Sequence, residues 1–317
     1  MPTAKLSSMS YAGLAVETTE GTPVAPTGFL PMRTFKPQDV PVYVPDRGLR
    51  GQPVDLFGEY ASVKSATYGW DGDAFSTSFG NLLGAIQGLD TVSGTAAPYT
   101  HTFTTIADPP SYTLADYYVA GFREWPGSRL EKLQIKFTPQ AGVTYVADWL
   151  GWPSVVETAP ASVTYATVPF FLGWQAALSL GGSSDINLTS FQVDLARKSS
   201  KVLFSAQNSQ NPFTTFVGPL EATYTLEFYM EGDTEYNLAL SEATQAVVIT
   251  VTQPNTGDVL TLQSSAVQFT KPTIDRQGEY VQVTLDGSAV FNATDNSVFL
   301  AKLQNAVSTS YTTTASN

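Results

Sequence analysis

The chain has 317 residues, of which 43% are apolar and 12% aromatic, so it can bury a sizeable core as one large β domain or two ordinary ones. Acidic residues outnumber basic ones by 28 to 16, which argues against a protein that grips nucleic acid through its phosphates, because such binding needs clustered Lys and Arg. Cysteine is absent, which excludes disulfides, thiolate metal sites and a cysteine nucleophile.

The N-terminal region is rich in proline and shows little hydrophobic periodicity. Residues 1–45 therefore predict an extended N-terminal arm rather than a packed domain. Residues 1–10 contain a single Lys and no apolar stretch, so they do not resemble a secretory signal peptide. No run approaches the roughly 18 apolar residues of a membrane span. We expect a soluble protein without a membrane partner, retained in the cell that makes it.

Strand signals dominate the rest of the chain. Clusters of Thr, Val, Tyr and Phe recur between Gly, Pro, Asn and Asp turns. The pattern predicts an all-β fold of the sandwich or barrel type with a few short helices. The predicted strands are Ala61–Trp70, Tyr99–Ile106, Leu130–Phe137, Leu188–Leu195, Glu221–Met230, Val247–Thr252, Ala266–Thr270 and Tyr280–Leu285. The predicted helices are Asn81–Gln87, Glu235–Ala243 and Phe299–Val307.

The segment Glu221–Met230 alternates most clearly between apolar and polar residues. One face carries Ala222, Tyr224, Leu226, Phe228 and Met230, and the other carries Glu221, Thr223, Thr225, Glu227 and Tyr229. Because successive side chains of a strand point to opposite faces, the first set is expected in a core. From the residues alone, the second set indicates an ordinary solvated sheet face.

An internal repeat is the most informative feature of the sequence. In both copies a Gly opens a strand and an acid-Gly-Asp turn closes it, followed by a short helix and a Thr-rich strand. The residues that define the repeat are Gly58, Gly72 and Asp73 in the first copy and Gly218, Gly232 and Asp233 in the second. In this alignment Lys64 of the first copy corresponds to the core-facing Tyr224 of the second, so the first copy is either less regular or shifted in register.

The repeat predicts two similar β-sandwich or barrel domains of ordinary size in tandem. The expected division is an arm over residues 1–45, a first domain over 46–160, a second over 161–307 and a flexible Ser/Thr-rich tail over 308–317. The boundary is expected near Trp152–Ala166, where prolines and small residues suggest a connector.

No residue pattern indicates catalysis. His101, the only histidine, lacks a second His or Cys for a metal site and is expected to be a surface or cross-strand residue. The stretches Asp71–Asp73 and Glu231–Asp233 lack the further ligands of a calcium loop, and Gly181–Asp185 lacks the lysine of a phosphate loop. A carboxylate pair for glycoside hydrolysis stays open, although no two acids stand out. We expect no enzyme activity, cofactor or metal.

Five stretches carry a further signal and occur in a consistent order over nearly the whole chain. They are Gly13–Pro23, Pro169–Gln175, Pro212–Glu227, Lys271–Val281 and Ala289–Asp295. Together they resemble the tail tube proteins of siphophages.

The resemblance implies a structural virion protein, the major tail tube subunit of a long-tailed bacteriophage. Sheets of such subunits join side by side into rings, and the stacked rings form the conduit for DNA ejection. A chain with two tube-type domains is similar to members whose three copies make a pseudo-sixfold ring, while hexameric rings stay open. The implied partners are further copies of the chain, a tape measure protein and phage DNA in the lumen without tight binding, and other tail proteins at the ends. Assembly in the host cytoplasm and residence in the virion tail are implied.

On this basis Glu221, Thr223, Thr225 and Glu227 are expected to line the lumen, with Ser62 or its neighbours on the equivalent strand. The arm before residue 45 is expected to bridge adjacent rings. Three alternatives stay open. They are another ring-forming tail protein (distal tail or terminator), a secreted carbohydrate-binding or adhesive β-sandwich module, and a hydrolase on a β scaffold.

Overall fold

The computed structural model describes residues 5–157, 163, 165, 167–185, 187–241 and 243–313. It confirms an all-β fold with a few short helices. The first half of the chain forms β1 (Tyr11–Val16), β2 (Gly28–Leu30), β3 (Met32–Asp46), β4 (Gly58–Asp73), α1 (Gly80–Gln87), β5 (Gly88–Ser93), β6 (Tyr99–Thr105), β7 (Tyr112–Tyr117), β8 (Phe122–Phe137), β9 (Thr144–Gly151) and β10 (Val155–Val156). The second half forms β11 (Ala176–Leu180), β12 (Ser183–Asp185), β13 (Leu188–Arg197), β14 (Lys201–Leu203), β15 (Thr214–Phe216), β16 (Leu220–Tyr229), α2 (Thr234–Leu240), β17 (Gln245–Thr252), β18 (Val259–Asp275), β19 (Gln282–Ala289) and β20 (Leu300–Asn305). Two 3-10 helices lie at Ser7–Met9 and Gly173–Gln175.

The two halves pair their strands in the same order. In the first half β1 pairs with β2 and β7, β7 with β8, β8 with β9, β9 with β4, and β4 with β3. In the second half β11 pairs with β12 and β17, β17 with β18, β18 with β19, β19 with β16, and β16 with β13. A helix follows β4 and another follows β16. The chain therefore contains two copies of one supersecondary unit, here called the first and second repeats.

Interruptions of the ladder fix which residues of the two repeats correspond. They occur at equivalent places of the β3–β4 and β13–β16 ladders, of the β8–β9 and β18–β19 ladders, and of the β7–β8 and β17–β18 ladders. The positions are Met32/Thr34 with Leu188/Ser190, Leu130/Lys132 with Phe269/Lys271, and Tyr112/Leu114 with Gln245/Val247. Because a bulge adds a residue to one strand of a pair, bulges at three matching places define a residue-by-residue alignment.

This alignment corrects the one predicted from the acid-Gly-Asp turns. Gly69 of β4 corresponds to Thr225 of β16, since they face Asp148 and Asp286 at matching positions of β9 and β19. Tyr68, rather than Lys64, is therefore the counterpart of Tyr224. The structure thus contains a repeated order of strands, but the residues from which the repeat was predicted do not occupy equivalent places.

One antiparallel ribbon runs through both repeats in the order β3, β4, β9, β8, β13, β16, β19 and β18. The repeats meet where β8 pairs with β13, and the rings of Phe137 and Phe191 stack there with centroids 5.2 Å apart. The other apolar side chains of this junction are also buried, namely Leu133, Ile135, Val193 and Leu195. The ribbon is thus continuous through the middle of the chain and ends at β3 and at the C-terminal half of β18.

A hydrophobic core lies behind the ribbon and draws on both repeats. It includes Trp70 and Trp149 from the first repeat and Phe228 from the second. Helix α1, predicted at Asn81–Gln87, packs within it and ends at Gly88, whose φ of 104° suits glycine. Arg197 of β13 is buried and donates hydrogen bonds to the carbonyl oxygens that end α1, so the second repeat caps a helix of the first.

The predicted helix Phe299–Val307 is wrong, because strand β20 occupies that segment. β20 pairs with β6 on one side and with β18 on the other. Ala301, Leu303 and Asn305 are buried while Lys302 between them is exposed. The segment forms a strand because it pairs with a strand on each side and buries every second residue, although its composition also suits a helix.

The chain ends are packed more tightly than the sequence indicates. Contrary to an unpacked arm, β1 lies between β2 and β7 with its central residues buried, because Ala12, Leu14 and Ala15 complete the apolar layer. Contrary to a flexible tail, Tyr311 is buried and its N–H donates to Asp90 Oδ2 at 2.8 Å. Residues 314–317 lie outside the described residues.

The predicted connector Trp152–Ala166 falls partly outside the described residues, at 158–162, 164 and 166. The division into separate domains over 46–160 and 161–307 therefore stays a prediction. Among the helices the structure describes, none is long and apolar enough to cross a membrane.

Candidate functional site

The polar face of β16 carries the four residues singled out from the sequence. Glu221 and Thr223 are exposed, Thr225 and Glu227 are half-buried, and the residues between them face the core. Glu221 Oε2 lies 3.1 Å from Lys198 Nζ, and Thr225 Oγ1 donates to Asp286 Oδ1 at 2.8 Å. These side chains therefore lie together on the side of the ribbon opposite the core.

This polar face extends across the ribbon, because residues opposite each other in a ladder point to the same side. From Thr223 it passes to Asp194 on β13, Gln134 on β8, Val146 on β9 and Asp71 on β4. We call this surface, opposite the core along all eight ribbon strands, the polar face.

Polar contacts cross the junction between the repeats on this face. Asp194 Oδ1 accepts a hydrogen bond from Gln134 Nε2 at 2.7 Å and lies 3.6 Å from Lys132 Nζ. Its Oδ2 accepts a hydrogen bond from Gln192 Nε2 at 2.6 Å. The face is thus ordered by contacts among its own side chains at the point where β8 meets β13.

Acids outnumber bases on the polar face. The acids are Asp71, Asp73, Asp148, Asp194, Glu221, Glu227, Asp275 and Asp286, and the bases are Lys36, Lys132, Lys136, Lys198 and Lys271. At the bulge of β8, burial first and the charge of Asp148 second raise the pKa of Glu131. Most other positions hold Ser, Thr or Gln. An anionic polymer near this face would be repelled and would find few cations to bind.

On β4 the structure moves the predicted position by three residues. The counterparts of the four β16 residues are Ser65, Thr67, Gly69 and Asp71. Ser62, expected there from the sequence, lies within an irregularity of the β3–β4 ladder, between the pairs Pro41–Lys64 and Tyr43–Ala61. The irregularity changes the face of the sheet on which the preceding β4 residues lie. Nothing in the local sequence indicates this irregularity.

The first predicted acid-Gly-Asp turn lies inside a strand. Gly58 opens β4 as predicted, but Gly72 and Asp73 are the last residues of the same strand. Asp73 Oδ1 accepts a hydrogen bond from Arg33 Nη2 at 2.7 Å. A Cβ on Gly72 would lie 2.9 Å from the Tyr145 hydroxyl, so close packing explains this glycine.

The second copy does lie where the chain changes direction. A Cβ on Gly218, just before β16, would lie 1.6 Å from the Lys198 carbonyl oxygen, so this close backbone approach requires glycine. Gly232 and Asp233 lie between β16 and α2, and Asp233 is the N-cap residue of α2.

His101 is a fully buried cross-strand residue of β6, opposite Val92 and Leu303, and not a surface residue. Its Nδ1 lies 2.9 Å from Asp90 Oδ2 and its Nε2 lies 2.9 Å from the Val307 carbonyl oxygen. Burial is the largest influence and lowers the pKa of His101, but the hydrogen bonds and the charge of Asp90 outweigh it, so the pKa is raised. The ring also packs against Tyr311, with centroids 4.7 Å apart. His101 therefore fastens the C-terminal segment to the first repeat, and a substrate would not reach it.

The other stretches considered for ligands form ordinary connections. Gly181 and Gly182, with φ of 59° and 87°, make the turn between β11 and β12. Across the described ranges, no group of three or more His, Asp or Glu side chains could hold a metal ion.

Both ends of the ribbon are open strand edges. In the described part of the chain, β3 pairs with β4 alone, and residues 271–275 of β18 pair with β19 alone. Sequence reasoning missed these edges. The available signal was proline, with Pro37 and Pro41 in β3 and Pro272 in β18, because proline within a sheet is confined to edges and bulges.

The end of the β3–β4 hairpin that extends past the pairing of β4 with β9 carries exposed apolar residues. Val42, Tyr43 and Val44 on β3 and Tyr60 on β4 are all exposed. Exposed apolar groups that cluster in this way mark contact surfaces more often than solvated ones.

Comparison with known proteins gives a single consistent result. A family model described as "Phage tail tube protein" matches residues 7–315, nearly the whole chain. A search of curated proteins found no match.

Proposed function

The chain belongs to the phage tail tube protein family, and on that premise we propose that it is the major tail tube subunit of a siphophage. In this proposal the chain polymerises as stacked rings that form the conduit for DNA ejection. Its role is structural and not catalytic. It assembles in the bacterial host cytoplasm and resides in the virion tail.

The polar face is the observation that carries the proposal. A tube that conducts DNA needs an inner wall that neither binds phosphate nor offers apolar patches. The polar face supplies excess carboxylates among Ser, Thr and Gln, and it belongs to a continuous ribbon with open edges. We therefore propose that Glu221, Thr223, Thr225 and Glu227 line the lumen, where DNA and a tape measure protein pass without tight binding.

The duplication supports a ring of three chains. If one repeat occupies one of six equivalent places, three chains with two repeats each close a pseudo-sixfold ring. Closure would remove both open edges, which isolated sheets must otherwise protect. Hexameric rings of the whole chain are the alternative and would leave the two repeats in different surroundings.

The N-terminal region supports contact between rings. Val42, Tyr43 and Val44 of the β3–β4 hairpin are exposed and apolar, and they lie on the segment before residue 45 that the sequence indicates as a bridge. Burying them against the next ring would remove apolar surface from water. Other tail proteins would take this place at the ends of the tube.

Negative-stain electron microscopy of the purified, concentrated protein tests the proposal. Hollow tubes with a regular axial repeat are expected, and end-on views would count the chains in a ring. Single rings that never stack would instead indicate a distal tail or terminator protein. Monomers that persist at high concentration and across salt levels would overturn the proposal.

A further inference from the structure

The two open edges of the ribbon correspond to the two strands that pair inside the chain. β3 is the first-repeat counterpart of β13, and β18 is the second-repeat counterpart of β8. β8 and β13 pair with each other, whereas β3 and residues 271–275 of β18 have a partner on one side among the described strands. The chain therefore contains one paired junction, between β8 and β13, and at the two ends of the ribbon it carries the unpaired counterparts of these two strands.

Burial differs between this junction and the two unpaired ends. Val193 and Ile135, paired at the internal junction, are both 0% exposed. Their counterparts are Pro37, which is exposed, and Ile274, which is half-buried. These two positions bury apolar groups at the junction and are uncovered at the ends, where a second copy of the chain carries the strand that would cover each of them. At the next inward-facing pair, Leu195 and Leu133, the counterparts are Asp39 and Pro272.

We infer that β3 of one copy pairs antiparallel with the C-terminal half of β18 of a second copy, in the register of the internal junction. The inference rests on the proposed ring assembly and specifies its contact. Inside the chain Gln192 pairs with Lys136, and the bulge alignment makes Lys36 and Asp275 their counterparts. The resulting pairs are Lys36 with Asp275, Gln38 with Thr273, and Val40 with Lys271.

The charges of the two edges match in this register. Lys36 and Asp275 are exposed on the polar face and would lie directly opposite each other. At the next position Phe35 would face Arg276, where the internal junction has the stacked Phe191 and Phe137. A guanidinium beside an aromatic ring is a favourable replacement for that stack. A shift by one residue would instead turn the polar side chains towards the core.

The backbone explains why these edges pair selectively. Hydrogen-bonded pairs alternate along an antiparallel ladder, and the Lys198 N–H donates to the Pro219 carbonyl next to β16, so Val193 presents its N–H to β8. At the free edges Pro37 takes the place of Val193, and Pro272 takes an equivalent place on β18. Each proline removes one donor but keeps its carbonyl acceptor. In the matching register Pro37 and Pro272 can still accept hydrogen bonds from the Ile274 and Asp39 N–H groups, so the contact would keep its ladder except for the two donors that the prolines lack. The same missing donors make the edges poor templates for unrelated strands.

Disulfide crosslinking of the full-length chain tests the register, because the chain has no cysteine of its own. Lys36→Cys and Asp275→Cys are combined in one chain, the protein is assembled and oxidised, and masses are read on a non-reducing gel. Residues opposite each other in a ladder have Cα atoms about 4.5–5.5 Å apart, which a disulfide can span. The expected result is loss of the monomer band in favour of linked chains, ending at three if the ring holds three.

Two matched pairs control the experiment. Lys36→Cys with Thr273→Cys tests a register shifted by two residues and should leave monomers. Gln192→Cys with Lys136→Cys places the same pair at the internal junction and should give a disulfide at monomer mass, detected by resistance to thiol labelling.

The outcomes separate the inference from the proposed function. Linkage of the Lys36/Asp275 pair without linkage of the Lys36/Thr273 pair supports the register. Tubes in which only the shifted pair links, or neither pair links, overturn the register and leave the tube function standing. A wild-type chain that forms neither rings nor tubes overturns both. If the cysteine variants do not assemble, Lys36→Asp should block assembly and added Asp275→Lys should restore it, and failure to restore overturns the pairing.

Discussion

Replacing Arg197 by Met should strongly destabilise the fold, because this guanidinium connects the two repeats. Its Nε donates to the Ile86 carbonyl at 2.8 Å, and its Nη2 donates to the Gln87 carbonyl at 3.0 Å. Its Nη1 donates to the Ile106 carbonyl at 3.1 Å. Burial lowers the pKa of Arg197 to about 10, so the site still holds a cation at neutral pH. That cation lies at the C-terminal end of α1, where the helix dipole favours positive charge.

The magnitude follows from these contacts. Hydrogen bonds to a charged group contribute about 1.5–3 kcal/mol each, and the hydration that the guanidinium gives up on burial offsets part of their sum. Met fills most of the volume but leaves the carbonyls without donors. We expect Arg197→Met to lower the free energy of unfolding by about 3–5 kcal/mol, because the Ile86, Gln87 and Ile106 carbonyls each lose a donor at about 1–3 kcal/mol and the recovered hydration of the guanidinium offsets part of that sum.

Urea denaturation of the dilute, unassembled protein, followed by tryptophan fluorescence, measures this change. With a slope of about 3 kcal/mol per M, the midpoint should fall by roughly 1–1.7 M. Lys198→Met is the matched control, since Lys198 is the next residue and its contact with Glu221 is exposed, so its effect should stay within about 0.5 kcal/mol. If Arg197→Met also changed stability by less than about 1 kcal/mol, the capping contacts would not connect the repeats as described.

Three further predictions concern pH, the lumen and stacking. Because the folded-state pKa of His101 is raised, the protonation of His101 contributes fully to stability below the unfolded-state pKa near 6.5, and this contribution is lost as the pH rises through the folded-state pKa. In urea denaturation at a series of pH values, His101→Gln should therefore flatten this part of the curve of stability against pH. An unchanged curve would refute the assignment. Glu221→Lys combined with Glu227→Lys should slow DNA ejection and lower infectivity while leaving the thermal midpoint nearly unchanged, whereas full infectivity would count against the lumen assignment. Val44→Asp should give rings that do not stack in electron micrographs, and tubes of normal length would exclude the hairpin as the contact between rings.

Patterns within single elements were predictable from the sequence, and features that depend on pairing between distant strands were not. The alternation of β16 identified both of its faces, because burial of one face leaves a period of two in the residues themselves. The helix after β4 was also predicted from residues of its own segment. The alignment of the repeats was misplaced because similar Gly-Asp pairs serve different purposes, close packing at Gly72 and a change of direction at Gly232.

The candidate site was predictable on one strand but not across the ribbon. Which residues stand beside Glu221 depends on the register of β13 and β8, which lie far away in the chain. The buried state of His101 depends on Asp90 and on a segment about two hundred residues later, which no local pattern contains. The open edges left a trace in their prolines, but proline alone does not distinguish an edge strand from a loop.

The junction of β8 with β13 places one seam of the sheet within a single polypeptide. Dilution cannot separate strands that the chain itself keeps near each other, because their effective concentration is set by the connecting segment and not by the solution. Such a seam needs no encounter between molecules and loses no translational freedom when it forms. Covalent linkage also allows the internal seam and the terminal edges to differ in sequence. The internal seam is apolar at its buried positions, whereas the terminal edges carry Lys36 on one side, Asp275 on the other, and prolines that limit which strands can pair with them.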